Sequence, residues 1–209
     1  GRSMTELLQQ TLDGLSAGLI YGILALALSV VFQGTGMHNF AQGEMATLSA
    51  FVTLVFLQFG MPFWAVLPIV IVLSALGGAL IERTVVRPLE RSGELPLLTL
   101  GVALLLGINA LMAIIWGTNS RPFPSPFGQG VVTFLGLRMT YQQLGSLITL
   151  LAVLTVTVLV FNRTSIGLRL RAVAQNPDSA TLLGQHRGKW LMIGWGIAAA
   201  VGAFAALVA

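Results

Sequence analysis

Residues 97–116 read LLTLGVALLLGINALMAIIW. This stretch carries no charged side chain, and its only strongly polar residue is Asn109. At about 1.5 Å per helical residue it reaches about 30 Å, the thickness of a bilayer's hydrocarbon core. The pattern recurs along the chain. No charge falls between Asp13 and Glu44 or between Glu44 and Glu82, and none within Leu95–Ser120, Met139–Asn162 or Trp190–Ala209. Hydrophobic residues make up 56% of the chain and charged residues 9%, where a soluble domain carries roughly a quarter charged. The 24 glycines fit the same environment, because transmembrane helices tolerate glycine better than soluble ones do. This is an all-α, polytopic transmembrane helical bundle.

The expected spans are Leu15–Phe32, Phe40–Phe59, Phe63–Ile81, Leu97–Trp116, Tyr141–Phe161 and Trp190–Val208, about six in all by the length criterion. Gly60-Met61-Pro62 turns the chain between the second and third, since proline cannot continue a helix. Gly1-Arg2-Ser3 ahead of Met4 reads as an expression scar, and the acids of TELLQQTLDG do not make the basic start of a signal peptide. Residues 1–209 are expected to form a single transmembrane domain.

Charge placement sets the orientation. IERTVVRPLERSGELP holds three Arg, and the segment 162–189 holds four Arg and one Lys. Lys and Arg mark cytoplasmic loops, so both segments belong inside. Residues 117–140, with only Arg121 and Arg138, belong outside. Counting back puts residues 33–39 inside and the N-terminus outside. Gly14, Gly18 and Gly22, and likewise Gly194, Ala198, Gly202 and Ala206, recur every four residues and predict close helix packing.

MHNFAQGEMATLSAF, residues 37–51, breaks the apolar pattern with His38, Asn39, Gln42 and Glu44. A helix confined to Met45–Phe59 would reach only about 22 Å. To span, it must begin near Phe40, which draws Gln42 and Glu44 into the bilayer. A charge at depth signals a pathway or a buried partner. An acid at the interface, in the first turn of a helix, is the other reading, because the helix dipole favours it there. Both stand at this stage.

Several chemistries are excluded. There is no cysteine, so disulfides and thiolate metal sites are ruled out. The two histidines lack zinc-protease spacing. No glycine-rich phosphate loop is present, so any ATP is bound by another chain. The basic stretches lack interleaved aromatics, and no nucleic-acid partner is expected. No catalytic residue, metal or cofactor is expected.

The run GLSAGLIYGILALALSVVFQGTGMHNFAQGEMATLSAF resembles the opening of permease subunits from ABC importers of the branched-chain amino acid type. Asn39, Phe40, Ala41, Gly43 and Glu44 match that family's signature. Gln42 stands where the family usually has histidine, and His38 where it usually has an apolar residue. The resemblance continues through ERTVVRPLE, through LPLLTLGVALLLGINALMAIIWG, where Asn109 matches, and through NSRPFP. It implies that Asn39, Gln42, Glu44 and Asn109 lie beside a translocation path, while the residues alone read Asn109 as an interhelical hydrogen-bonding group.

RAVAQNPDSATLLG, residues 171–184, is locally a helix signal. Asn176 is placed as N-cap, Pro177 as first residue, Asp178 in the first turn and Gly184 just past the end. The segment resembles the family's cytoplasmic coupling loop. Residues 163–189 would then dock on an ATPase, with Arg171, Ala174, Asn176, Asp178, Ala180 and Gly184 as coupling residues. Ala174 and Ala180 would permit close seating. The expectation from the residues alone is an ordinary topology-setting loop.

The resemblance implies a transport subunit of the bacterial inner membrane that passes a small polar solute, with branched-chain or hydrophobic amino acids leading. It implies a second permease, two ATP-binding cassette subunits and a periplasmic solute-binding protein as partners. Urea, amides or sugars are alternative solutes. An ion-coupled secondary transporter using Glu44 is the alternative class, and a purely structural subunit is a third. Permeases of this type continue through further spans, so the chain is expected to be a piece lacking its C-terminal part.

Overall fold

A computed structural model describes residues 1–35, 39–119 and 122–208, the side chains of 27, 30, 31, 33–35, 91 and 94 excepted. His38 and Arg121 lie outside the described residues. The chain runs through α1 (Arg2–Thr35), α2 (Gln42–Gln58) and α3 (Phe63–Ile81). A π-helical turn, Glu82–Val86, carries α3 on into the short α4 (Arg87–Leu89). Then come α5 (Glu94–Trp116), the strands β1 (Val131–Phe134) and β2 (Leu137–Thr140), α6 (Tyr141–Arg163), α7 (Ser165–Gln175), α8 (Pro177–Leu182) and α9 (Arg187–Val208). Among the described residues, 4 stretches are long and apolar enough to cross a membrane: Phe63–Leu89, Leu95–Trp116, Tyr141–Arg163 and Arg187–Val208. These contain the last four expected spans.

The first two depart from expectation in instructive ways. Helix α1 starts at Arg2 rather than Leu15, and its 34 residues reach about 51 Å. Its opening turns are held outside the apolar run by Gln9. The Gln9 amide donates to the Arg138 carbonyl (2.9 Å) and accepts from the Arg138 N–H (2.9 Å). The edge of β2 is thereby paired by a side chain in place of a third strand. The Gln143 amide donates to Asp13 at 2.9 Å and ties the same region to the start of α6.

Helix α2 begins at Gln42, not Phe40, and its 17 residues reach about 25 Å. It does not need the full bilayer thickness, because the turn ahead of it is buried in protein. Asn39 is 1% exposed, Ala41 0% and Gln42 4%. Irregular backbone is tolerated at membrane depth where its polar groups are satisfied internally. Here the Asn39 side-chain oxygen accepts the Ala41 N–H (3.1 Å), and the Asn39 carbonyl accepts the Gln42 N–H (3.1 Å).

Helix α9 is the centre of the bundle. About two-thirds (67%) of its most apolar stretch is buried, against 17–22% for the other candidate spans. Its small residues explain why. A Cβ on Gly78 of α3 would lie 2.7 Å from the Trp195 carbonyl oxygen and from Ala199 Cβ, so the two helices pass almost backbone to backbone. The row Gly194, Ala198 and Gly202 is in contact as expected. Gly14, Gly18 and Gly22 are not: nothing approaches within 4 Å of their Cβ positions, and that face of α1 is open.

Two rings from the 117–140 segment, Phe123 and Phe127, meet Phe63 and Trp64 at the start of α3, with centroids 6.2 and 5.6 Å apart. The strands form a hairpin over Leu135–Gly136, both at positive φ (50° and 81°), as a two-residue primed turn requires. Leucine in that position is uncommon, so no turn signal marks the hairpin in the sequence. At the opposite end, Arg87 donates to the Gly188 carbonyl at 2.7 Å and Arg187 pairs with Glu90. Both basic segments therefore share one face, which the positive-inside rule assigns to the cytoplasm. Single cysteines introduced at 85, 133 and 182 of this cysteine-free chain should label accordingly. An impermeant thiol reagent added to intact cells should reach only 133, and labelling of 182 would reverse the orientation.

Candidate translocation and coupling sites

The polar stripe of α2 is built by helical spacing. Gln42, Ser49 and Thr53 fall on one face, all buried. The Gln42 amide donates to the Ala198 carbonyl of α9 at 3.1 Å. A Cβ on Gly202 would lie 2.3 Å from that amide nitrogen, so the side chain fills the notch that this glycine leaves. Ala198 lies about 16 Å along α9 from Arg187. Gln42 therefore meets the central helix at its middle. Ser49 shares a hydrogen bond with Ser74 of α3 at 2.7 Å, and Ser49 and Thr53 donate back to the carbonyls of Met45 and Ser49.

Glu44 takes the opposite side of the same turn and is half-buried. Asn109 donates to it at 3.3 Å, joining α2 to α5. Asn109 stands about 22 Å along α5 from Glu94 and about 10 Å from Trp116. The acid is therefore within the span defined by α5, with a partner at depth, rather than at its cytoplasmic rim. Asn109 itself is exposed on the outer surface of α5. The sequence singles out both residues, but only the fold pairs them.

A cavity of about 280 Å³ opens between α2, α3, α5 and α9, near the lower size of small-molecule sites. Its walls are apolar (Met45, Leu48, Val70, Ile108) except for the Ser49–Ser74 hydroxyls. Met45 joins it to the polar turn, its sulfur accepting from Asn39 at 3.5 Å. Among the described residues, no three His, Cys, Asp or Glu side chains gather to hold a metal ion.

Residues 163–189, the candidate coupling segment, contain two short helices, α7 and α8, ahead of α9. Helix α7 ends at Gln175, where Asn176 breaks it. The Asn176 side chain then caps α8 by accepting the Ser179 N–H at 3.0 Å. Pro177 opens α8, Asp178 lies in its first turn, and Gly184 follows at φ 82°. Arg171, Asn176, Asp178 and Gly184 are exposed and Ala174 is half-buried. Ala180 is not on the contact face: it is 5% exposed and packs into the core of its own bundle. The most exposed large apolar residues of the segment are Leu182 and Leu183, at 87% and 80%, followed by Leu168 at 62%. They went unnoticed in the sequence because two leucines after a helical run read as core. Leu182 is the last residue of the six-residue α8 and Leu183 its C-cap, on the side away from the buried Ala180.

A bundle of long apolar helices around a buried central helix, with polar groups at depth and a basic face carrying capped helices, defines a multi-pass membrane transport protein. The chain belongs to the family described as "Branched-chain amino acid transport system / permease component", which matches residues 10–209. It is 27% identical to the high-affinity branched-chain amino acid transport system permease protein LivH of Escherichia coli (strain K12), over 96% of this chain and 70% of that one. It is 26% identical to the corresponding permease protein BraD of Pseudomonas aeruginosa, with the same coverage. A probable branched-chain amino acid transport permease LivH of Methanocaldococcus jannaschii is 26% identical over 87% of this chain and 60% of its own length. No solved structure gives a significant match.

Proposed function

We propose that the chain is the membrane permease of an ABC importer for branched-chain amino acids, driven by ATP hydrolysis in separate subunits. The family match across residues 10–209 supports the class, and relatives named for branched-chain amino acid transport support the substrate. An apolar cavity bordered by a hydroxyl pair and a polar turn suits a solute with an aliphatic side chain and a charged head. A second permease completes the membrane part on this reading. Two ATP-binding cassette subunits sit on the basic face, and a periplasmic binding protein delivers solute to the 117–140 face. The complex resides in the inner membrane.

The observation that carries the coupling half of the proposal is the Leu182–Leu183 pair. Two nearly fully exposed leucines at the end of a capped helix, in a segment that also exposes Arg169, Arg171 and Lys189, form an anchor for a soluble partner. An ion-coupled carrier has no use for such an anchor. Full burial of a leucine side chain contributes about 1.5–3 kcal/mol, at least about tenfold in affinity. Leu182→Glu with Leu183→Glu, in the complete transporter, should leave the permease inserted while its ATPase no longer co-purifies. Full recovery of the ATPase and normal uptake would move the ion-coupled reading ahead. Ala180→Trp is a poorer probe, since it would first disturb the permease's own packing.

A further inference from the structure

The cytoplasmic end of α3 carries a charged cluster that neither the translocation path nor the docking face uses. Glu82 is fully buried, at 0% exposure. Arg87 reaches back to it, with Nη2 2.9 Å from Oε2 and Nε 3.4 Å from Oε1. The same Nη2 donates to the Gly188 carbonyl, in the first turn of α9, at 2.7 Å. In an α-helix, residues five apart point about 140° away from each other. The π turn at Glu82–Val86 brings Glu82 and Arg87 to one side, and the Arg87 N–H closes its hydrogen bond on the Glu82 carbonyl. Such turns are costly and frequently mark functional sites. Gly188 completes the seat: a Cβ there would lie 2.8 Å from the guanidinium carbon and 3.0 Å from both terminal nitrogens. A second ion pair, Arg187 with Glu90, crosses the same junction.

This junction lies where the coupling segment ends. Trp190 donates to Gln185 at 3.0 Å, and Arg169 of α7 lies over the Trp190 ring at 5.4 Å. These contacts make α7, the loop after α8 and the first turn of α9 one unit. Further in, Gly78 against Trp195 and Ala199 holds α3 and α9 backbone to backbone. A displacement of the coupling segment therefore meets α3 first at Arg87.

We infer that Arg87, seated between Glu82 and the Gly188 carbonyl, is the joint that transmits movement of the coupling segment to the membrane-spanning bundle. It is a positioning residue and touches no solute. The inference rests on the docking role proposed for residues 163–189. The pair, with Glu82 buried and Arg87 partly exposed, gives the joint stiffness, since a guanidinium fork held at two acceptors permits little rotation. The bond to a main-chain carbonyl gives it direction, because pulling on that carbonyl pulls on α9 itself.

Two variants separate a joint from a staple, each measured in the complete transporter in proteoliposomes with its binding protein. Gly188→Ala expels the guanidinium from its seat and keeps every charge. Glu82→Gln with Arg87→Met removes the pair together, so no unpaired charge is left buried. In both, insertion and ATPase co-purification should match the parent and ATP hydrolysis should continue. Solute carried per ATP hydrolysed should fall about tenfold, within the usual range of coupling between sites. A parental transport-to-hydrolysis ratio in both variants would overturn the inference. So would failure of both to insert, which would make the cluster a folding element. The leucine variants of α8 keep the two readings apart. If those lose the ATPase while the Gly188 and Glu82/Arg87 variants transport normally, docking stands and only the joint falls. If the leucine variants keep the ATPase and transport normally, the docking reading itself fails.

Discussion

Gly78→Leu should markedly destabilise the permease, while Gly77→Leu should fold and transport poorly. The two glycines are adjacent in α3 and face different neighbours. At Gly78 even a methyl group meets the Trp195 carbonyl oxygen at 2.7 Å. A main-chain carbonyl inside a helix cannot move aside alone, so α3 and α9 must separate along the most buried contact of the bundle. Overpacking of this kind costs about 1–3 kcal/mol and occasionally more, a large share of a stability of about 5–15 kcal/mol. Gly77 has nothing within 4 Å of its Cβ position and borders the cavity between α2, α3 and α5. A leucine there has room, and it occupies the space proposed for the solute. Size-exclusion profiles in detergent read the first effect, and uptake normalised to inserted protein reads the second. Equal stability of the two variants would mean that the α3–α9 contact is not the bundle's principal seam.

The second large effect is expected at Glu44. Its carboxylate accepts a hydrogen bond from Asn109, and glutamine can accept the same bond, so Glu44→Gln removes charge and little else. Holding an acid at membrane depth costs about 2.5–3.5 kcal/mol. The amide should therefore fold at least as well as the parent. If the charge serves the passing solute, uptake should drop more than about tenfold, the equivalent of about 1.4 kcal/mol in the barrier. Asn109→Ala gives the contrast. It removes an interhelical hydrogen bond of about 0.6–2 kcal/mol but keeps the charge, so its loss of uptake should be smaller. Unchanged uptake in Glu44→Gln would make the acid a packing residue and remove it from the path.

What was legible in the sequence follows from the range of the interaction concerned. The spans at α5, α6 and α9 could be read because a charge-free run of bilayer length has few other uses. The cap of α8 could be read because Asn176, Pro177 and Gly184 act on the backbone within a few residues. The early start of α1 could not, because it depends on Gln9 pairing with Arg138, 129 residues away. Glu44 and Asn109 each stood out as polar residues in apolar surroundings, yet 65 residues separate them and nothing local says that they meet. The small-residue rows show the limit from the other side. Spacing reveals that a face is narrow, not which neighbour uses it, so the row on α9 is filled while Gly14, Gly18 and Gly22 face open space. Ala180 departed from expectation for the same reason, and Leu182–Leu183 drew no expectation at all. Which side of a short helix faces inward is decided by the bundle beneath it.

The buried turn at Asn39–Ala41 also governs how the protein is made. Helix α2 is short, and its polar first turn lowers its tendency to enter lipid alone. It is tied through Gly60-Met61-Pro62 to α3, an apolar helix that enters readily, so the two go in as a hairpin. Gln42 then waits for its acceptor, because Ala198 is synthesised 156 residues later. At translation rates of about 5–20 residues per second, that interval is about 8–30 seconds. Throughout it the amide lacks its native acceptor. Emergence of α9 supplies three partners together: Ala198 for Gln42, Trp195 for Gly78 and Gly188 for Arg87. A ribosome stalled before residue 187 would leave five helices inserted and none of those three contacts made, a species suited to recognition by membrane proteases.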